Sequence, residues 1–146
     1  MKPSYSVLVG YRIFVVEDHP IMRRAYAAML ALEPDLTLCG MAESAEEALE
    51  TLTETACDLV VVDVALPGMD GIELTEALLK EYPDLLILVI SGHDEAVLGA
   101  RARRAGARGY LNKWGLQETL IGTIRKTLLG SASPGQQDRT FRGGPA

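Results

Sequence analysis

Short solid apolar runs alternate with amphipathic stretches along most of this chain. Arg12-Ile13-Phe14-Val15-Val16, Leu59-Val60-Val61-Val62 and Leu85 to Ile90 are rich in β-branched residues and too short for helices. Such runs read as strands buried on both faces. Leu36 to Met41 suits a second strand between the first two, and Gly109 to Asn112 a fifth at the end. Between them the pattern changes to helical spacing. Pro20 offers a helix start, and Ile21 to Leu32 reads as a helix stopped at Glu33-Pro34-Asp35, because proline disfavours helix in the residue before it. Ser44 with Glu47 three residues on has the form of a capping box opening a helix to about Thr53. The turn run Leu66-Pro67-Gly68-Met69-Asp70-Gly71 leads into a helix from Ile72 to Glu81, closed by Tyr82-Pro83-Asp84. Asp94 to Ala105 ends at Gly106, and Leu116 to Leu129 is the last helix, with a core stripe of Leu116, Leu120, Ile124 and Leu128. Five strands alternating with five helices predict an α/β fold, a parallel sheet covered by helices on both sides.

The polar residues that close these strands change the picture most. Glu17 and Asp18 follow the first strand, Asp63 the third, Ser91 the fourth and Lys113 the fifth. In an open α/β sheet the carboxyl ends of the strands form the ligand crevice. Neighbouring strands lie about 4.8 Å apart, so these side chains can converge on one small site. Three carboxylates, a hydroxyl and an ammonium describe a magnesium-assisted phosphoryl site. Each residue alone has an ordinary reading: Asp63 as a turn or cap residue, Glu17-Asp18 as a solvated loop, Ser91 as a loop start, Lys113 as a surface ammonium. Their order at successive strand ends favours the site.

Composition narrows the class. The chain has 146 residues, 48% of them hydrophobic, which suits one globular domain. With 14 basic and 20 acidic residues the net charge is −6, which argues against direct nucleic-acid binding by this chain. Cys39 and Cys57 are too few for a disulfide scaffold and read as two buried thiols. No apolar run approaches the length of a membrane span. Gly10, Tyr11 and Arg12 interrupt any signal-like apolar stretch, so a cytoplasmic protein is expected. Residues 1–10 read as an N-terminal extension, 11–130 as the domain, and the Gly-, Ser-, Pro- and Gln-rich tail 131–146 as disordered.

At the residues just named the chain resembles a two-component response-regulator receiver domain, and among those the LuxR/NarL class. The matching pieces are Glu17-Asp18-His19-Pro20, the stretch from Asp63 to Gly71, and Ala105 to Lys113. The resemblance implies a flavodoxin-like (βα)5 fold with strand order 2-1-3-4-5. It implies a signalling phosphoacceptor rather than an enzyme, phosphorylated on Asp63 by a sensor histidine kinase. It further implies Mg2+ held by Asp18, Asp63 and the backbone carbonyl of Ala65, with Glu17 acting partly through water. By the same resemblance Lys113 is expected to pair with Asp63 and then with the phosphoryl oxygens, and Ser91 to hydrogen-bond that group. The resemblance also implies that Ser91 and Tyr110 form the switch, the aromatic ring moving inward when the hydroxyl moves; the ordinary reading of Tyr110 is a static, half-buried tyrosine.

Several residues remain outside that scheme. His19 and His93 have no second histidine or cysteine at metal spacing, so neither is assigned as a ligand. Ala65 and Trp114 depart from the residues commonest in receivers at those positions. Arg101, Arg103, Arg104 and Arg108 form either a solvated basic face or a patch for an acidic partner. No helix-turn-helix segment follows, so the rival readings are a stand-alone receiver and a fragment of a DNA-binding regulator. A flavodoxin-like hydrolase is the rival from another class; no G-x-G-x-x-G follows the first strand to suggest a dinucleotide binder. The first helix is apolar on more than one face. Ile21, Ala25, Ala28 and Leu32 are expected to line the core, with Met22, Tyr26 and Leu30 on the flanks. Together with Thr123, Arg125 and Lys126 of the last helix, those flanks are expected to form the face for a kinase or a homodimer.

Overall fold

The computed structural model of the chain describes residues 10–92 and 96–130. His93, the start of the helix expected from Asp94, the segment before Gly10 and the tail from 131 lie outside the described residues. The strands are β1 (Tyr11–Val16), β2 (Leu36–Ala42), β3 (Leu59–Asp63), β4 (Leu86–Ser91) and β5 (Gly109–Asn112). The helices are α1 (Pro20–Ala31), α2 (Ala45–Thr51), α3 (Gly71–Glu81), α4 (Ala96–Ala105) and α5 (Leu116–Gly130). The strands form one sheet in the order β2-β1-β3-β4-β5, with every pairing parallel.

Side chains alternate across each strand, and the two faces build two cores. Phe14, Val16, Val60, Val62, Ile87 and Val89 pack with Ala45 and Ala48 of α2, Leu74 and Leu78 of α3, and Ala102 of α4. Ile13, Val15, Leu59, Val61, Leu86, Leu88 and Ile90 pack with α1 and with Leu116, Leu120, Ile124 and Leu128 of α5. The central strands β3 and β4 are buried along their whole length, which is why they read as unbroken apolar runs. The edge strand β2 carries an irregularity: Ile13 pairs with Leu38 but Phe14 with Gly40, leaving Cys39 as the extra residue. Cys57 is buried as expected, whereas Cys39 on this edge is only half-buried.

The face of α1 differs from the expectation. Tyr26 and Leu30 are the buried residues, with Met22 and Met29 packed beside them. Ile21 and Leu32, expected in the core, are 75% and 79% exposed. The reason is volume. Burying a large side chain contributes about 1.5–3 kcal/mol, and a methyl group far less. The stripe Met22-Tyr26-Leu30 fills the space over the sheet, whereas Ile21-Ala25-Ala28-Leu32 contains two alanines. Helical spacing puts Ile21 and Leu32 on one side of α1, so the expected core stripe is an outward-facing apolar stripe.

Helix ends follow local chemistry. Ser44 caps α2 by accepting from the Glu47 amide, while the Glu47 carboxylate accepts from the Glu43 amide at 2.7 Å, one residue before the cap. Asp70 caps α3 with both halves of a capping box: it accepts from the Glu73 amide, and Glu73 accepts from the Asp70 amide. This D-x-x-E signature begins within the turn run at Asp70 and ends at Glu73 in the first turn of α3. At the far side, Arg125 of α5 bonds Asp35 at 2.8 and 3.0 Å and also Glu33, tying α5 to the α1–β2 connection. Arg125 is therefore engaged within the fold rather than free for a partner.

Candidate functional site

Strand order decides where the polar residues meet. Val16 pairs with Val62, so Glu17 and Asp63 leave adjacent strands side by side. Ser91 pairs with Asn112, and the Lys113 amide donates to the Ser91 carbonyl at 2.8 Å, which brings the β5 exit toward the same pocket. The Lys113 ammonium stands 3.1 Å from Asp63 Oδ2 and 3.4 Å from Glu17 Oε1. On its other oxygen, Asp63 accepts from the Ala65 amide at 3.1 Å. Glu17, Asp63 and Ser91 are buried, at 0%, 1% and 2% exposure, while Asp18 and Lys113 are partly open.

Backbone packing holds this arrangement. A Cβ built on Gly71, the first residue of α3, would lie 2.2 Å from the Asp63 carbonyl oxygen, so only glycine lets α3 start against the end of β3. Arg23 donates to the Glu17 carbonyl at 2.9 Å and bridges toward Glu43, pinning the loop after β1. Tyr26 is buried beneath the pocket, next to Glu17 and Asp63; burial, then the two carboxylates, raise its phenol above the ordinary range. The sequence places Gly71 in a turn run and Tyr26 on a flank of α1 without tying either to the pocket, and it does not single out Arg23. Only the helical spacing of Arg23 and Tyr26 from Asp18 could have pointed at them.

The electrostatics are those of a cation site. Three carboxylates gather around one ammonium in a pocket whose floor, at Glu17 and Asp63, is buried and whose rim, at Asp18 and Lys113, is partly open. Burial and then the Glu17 charge push the Asp63 carboxyl up to about 6, against the pull of Lys113 and the Ala65 amide. Burial opposes the Lys113 charge, yet Asp63 and Glu17 hold its ammonium above the ordinary range. Glu17 Oε1 and Asp18 Oδ1 are buried and make only long ionic contacts, to Lys113 at 3.4 Å and to His19 Nδ1 at 3.3 Å, without a well-aligned hydrogen bond. Buried polar atoms normally have partners, and oxygen-only donors of this kind suit a hard divalent ion. One ligand atom from each of Glu17, Asp18, His19 and Asp63 lies within 4.8 Å of the others. The donor set therefore fits a divalent metal ion.

Residues 13–125 match the family described as response regulator receiver domain. The chain belongs to that family. Among its relatives are Response regulator GacA of Pseudomonas viridiflava, 34% identical over 82% of this chain and 56% of that protein. DNA-binding transcriptional activator DevR/DosR of Mycobacterium tuberculosis is 39% identical over 70% of this chain and 47% of its own length. The chain thus spans about half the length of these relatives. A two-component response regulator of the LuxR family from Aurantimonas sp. SI85-9A1 superposes with a TM-score of 0.80 at 34% identity, covering 83% of this chain and 86% of that one. The signal receiver domain of the NarL response regulator from Mycobacterium tuberculosis superposes with a TM-score of 0.77 at 29% identity, over 83% and 98% of the two chains. This receiver therefore has the LuxR/NarL-type fold and the strand order that the motifs implied, and it is a signalling domain of two-component systems.

The remaining residues singled out in the receiver sequence lie on α4, β5 and the connections beside them. Tyr110 is half-buried, its ring against Gly99 of α4, where a Cβ would sit 3.5 Å from Cδ2. Gly92 borders open space, the nearest atom to a built Cβ being Lys113 Cδ at 4.0 Å. Trp114 is 79% exposed, with its amide bonded to Asn112 Oδ1. Arg101, Arg103, Arg104 and Arg108 are exposed on α4 and the turn after it. Among the described residues no helix is long and apolar enough to cross a membrane.

Proposed function

We propose that this receiver is phosphorylated on Asp63 by a sensor histidine kinase in the cytoplasm and acts as a phosphoacceptor, not as an enzyme. The observation that supports this best is the buried Asp63 carboxylate in contact with the Lys113 ammonium and flanked by Glu17 and Asp18. Asp18, Asp63 and the Ala65 carbonyl would hold Mg2+, with Glu17 acting partly through water. When bound, the ion neutralises the charge that develops on the phosphoryl oxygens, the main demand of this chemistry.

The chain's own groups do the rest. An Asp63 carboxylate oxygen attacks phosphorus, the donor's P–N bond breaks, and an acyl phosphate forms on Asp63. Lys113 exchanges its Asp63 partner for a phosphoryl oxygen, a role suited to a compact ammonium. The Ser91 hydroxyl donates to a second phosphoryl oxygen, and Tyr110 follows it inward from its place against Gly99. The outward stripe of α1 is the contact face for the kinase or for a second copy in a homodimer. DevR/DosR is a DNA-binding transcriptional activator; the acidic balance of this chain disfavours DNA contact here.

Incubation with magnesium and acetyl phosphate, or with a phosphorylated histidine kinase, tests the assignment by intact mass. One phosphoryl group should appear on the wild type and none on Asp63→Asn. Equal labelling of the variant would overturn the choice of Asp63.

A further inference from the structure

The two cysteines, far apart in sequence, meet on one face of the sheet. Cys39 is the extra residue of the irregularity in β2, between Leu38 opposite Ile13 and Gly40 opposite Phe14. A bulged residue is released from the ladder and its side chain is re-aimed. Cys57 precedes β3, and the Asp58 amide beside it donates to the Arg12 carbonyl at 2.8 Å, so Cys57 stands on the other side of β1. Two cysteines fixed in strands two apart would be held about 10 Å from each other. Cys57 escapes that constraint because it belongs to the connection from α2, whose Leu52 packs into the same core. Both cysteine side chains join that core, and their thiols are in hydrogen-bonding contact, Cys57 donating to Cys39. Cys39 is half-buried at the sheet edge, whereas Cys57 is buried.

The surroundings give the two sulfurs different chemistry. The Cys57 hydrogen bond, aided by the Arg12 charge, holds the Cys39 thiol below its ordinary range against burial and Asp58. The same hydrogen bond, with burial, pushes the Cys57 thiol up. A thiolate-prone, reachable cysteine beside a second thiol is the arrangement that peroxides oxidise. We propose that Cys39 and Cys57 form an oxidisable dithiol, with Cys39 the residue that attacks a hydroperoxide and Cys57 the one that resolves it. The Cys39 thiolate attacks one oxygen of hydrogen peroxide, the O–O bond breaks, and the departing hydroxide takes up a proton as water, leaving a sulfenic acid. The Cys57 sulfur then attacks the Cys39 sulfur; the S–S bond forms, the S–O bond breaks, and the hydroxyl leaves as a second water with the Cys57 proton. Two thiols are oxidised to one disulfide and one peroxide is reduced to two waters. The product ties the edge strand β2 to the start of β3 across β1. Disulfides of reducing compartments are transient and redox-sensing, and a half-buried sulfur at an edge strand leaves this one open to reduction by a thiol. The site is separate from the acidic pocket and does not depend on the reading of Asp63.

Treatment of the folded, reduced full chain with hydrogen peroxide, followed by alkylation and intact-mass analysis, tests this. The wild type should become lighter by two hydrogen atoms and lose both alkylatable thiols, and dithiothreitol should restore them. Cleavage at the glutamates between the cysteines, Glu43 to Glu54, should leave the Cys39 and Cys57 peptides joined until they are reduced. Before oxidation, N-ethylmaleimide should modify Cys39 at least about tenfold faster than Cys57. Cys57→Ala should stop at a Cys39 sulfenic acid that dimedone traps, and Cys39→Ser should leave Cys57 unoxidised. The wild-type peptide map decides the matter even where a variant folds poorly. Two thiols still free after peroxide treatment would overturn the proposal. So would a disulfide between two chains through Cys39 with Cys57 left reduced, which would make Cys39 a lone surface thiol. Faster alkylation of Cys57 than of Cys39 would overturn the assignment of their roles.

Discussion

Asp63→Asn should stabilise the metal-free receiver at neutral pH. The Asp63 carboxyl is raised from 3.8 to about 6 by burial and by Glu17, so ionising it in the folded state is unfavourable. Between those two values the folded state holds a proton that the unfolded state has lost, and stability falls as pH rises. The effect is absent well below 3.8 and complete above about 7. The interval corresponds to about 3 kcal/mol at most. Asparagine has the shape of the carboxyl and no charge, so it removes this cost, less whatever its amide loses against Lys113. In EDTA at pH 7.5 the variant should melt up to about 10 °C higher, given the usual few degrees per kcal/mol for a domain of this size. Near pH 4 the gap should shrink below about 1 kcal/mol, since the carboxyl is then largely protonated in the folded state and partly in the unfolded one. Magnesium should raise the wild-type midpoint and close the gap at pH 7.5. Chemical denaturation across pH 4 to 8, with and without magnesium, gives the difference curve directly. A variant that is less stable at pH 7.5, or a gap that does not change with pH, refutes the reasoning.

Two further outcomes separate surface from core. Ile21→Glu should leave the melting midpoint within about 2 °C, since the side chain is 75% exposed, and should abolish any self-association seen by sedimentation; Tyr26→Glu, which buries a third carboxylate beside Glu17 and Asp63, should destabilise by about 3 kcal/mol or more and is no probe of the surface. Gly71→Ala should cost about 1–3 kcal/mol through the clash with the Asp63 carbonyl and reduce labelling of Asp63, whereas a variant that folds and labels normally would show that α3 can withdraw.

Much of this protein was legible in its sequence because the information is local. Parallel strands buried on both faces must be solid apolar runs, and those runs mark their own ends, so Glu17, Asp18, Asp63, Ser91 and Lys113 could be placed at strand exits before any coordinates. Proline stops and the Ser44 cap likewise depend only on neighbouring residues. The α5 stripe of Leu116, Leu120, Ile124 and Leu128 was legible because it has no competitor on its helix. On α1 two stripes one residue apart were both apolar, and the choice between them depended on the space above the sheet, which periodicity does not encode. That choice put Tyr26 under the pocket and Ile21 outside. The closeness of Gly71 to the Asp63 carbonyl and of His19 Nδ1 to two carboxylates are distances between separate segments or between rotamers. Such distances, and the rise of the Asp63 carboxyl that follows from burial beside Glu17, exist only once the strands are laid side by side.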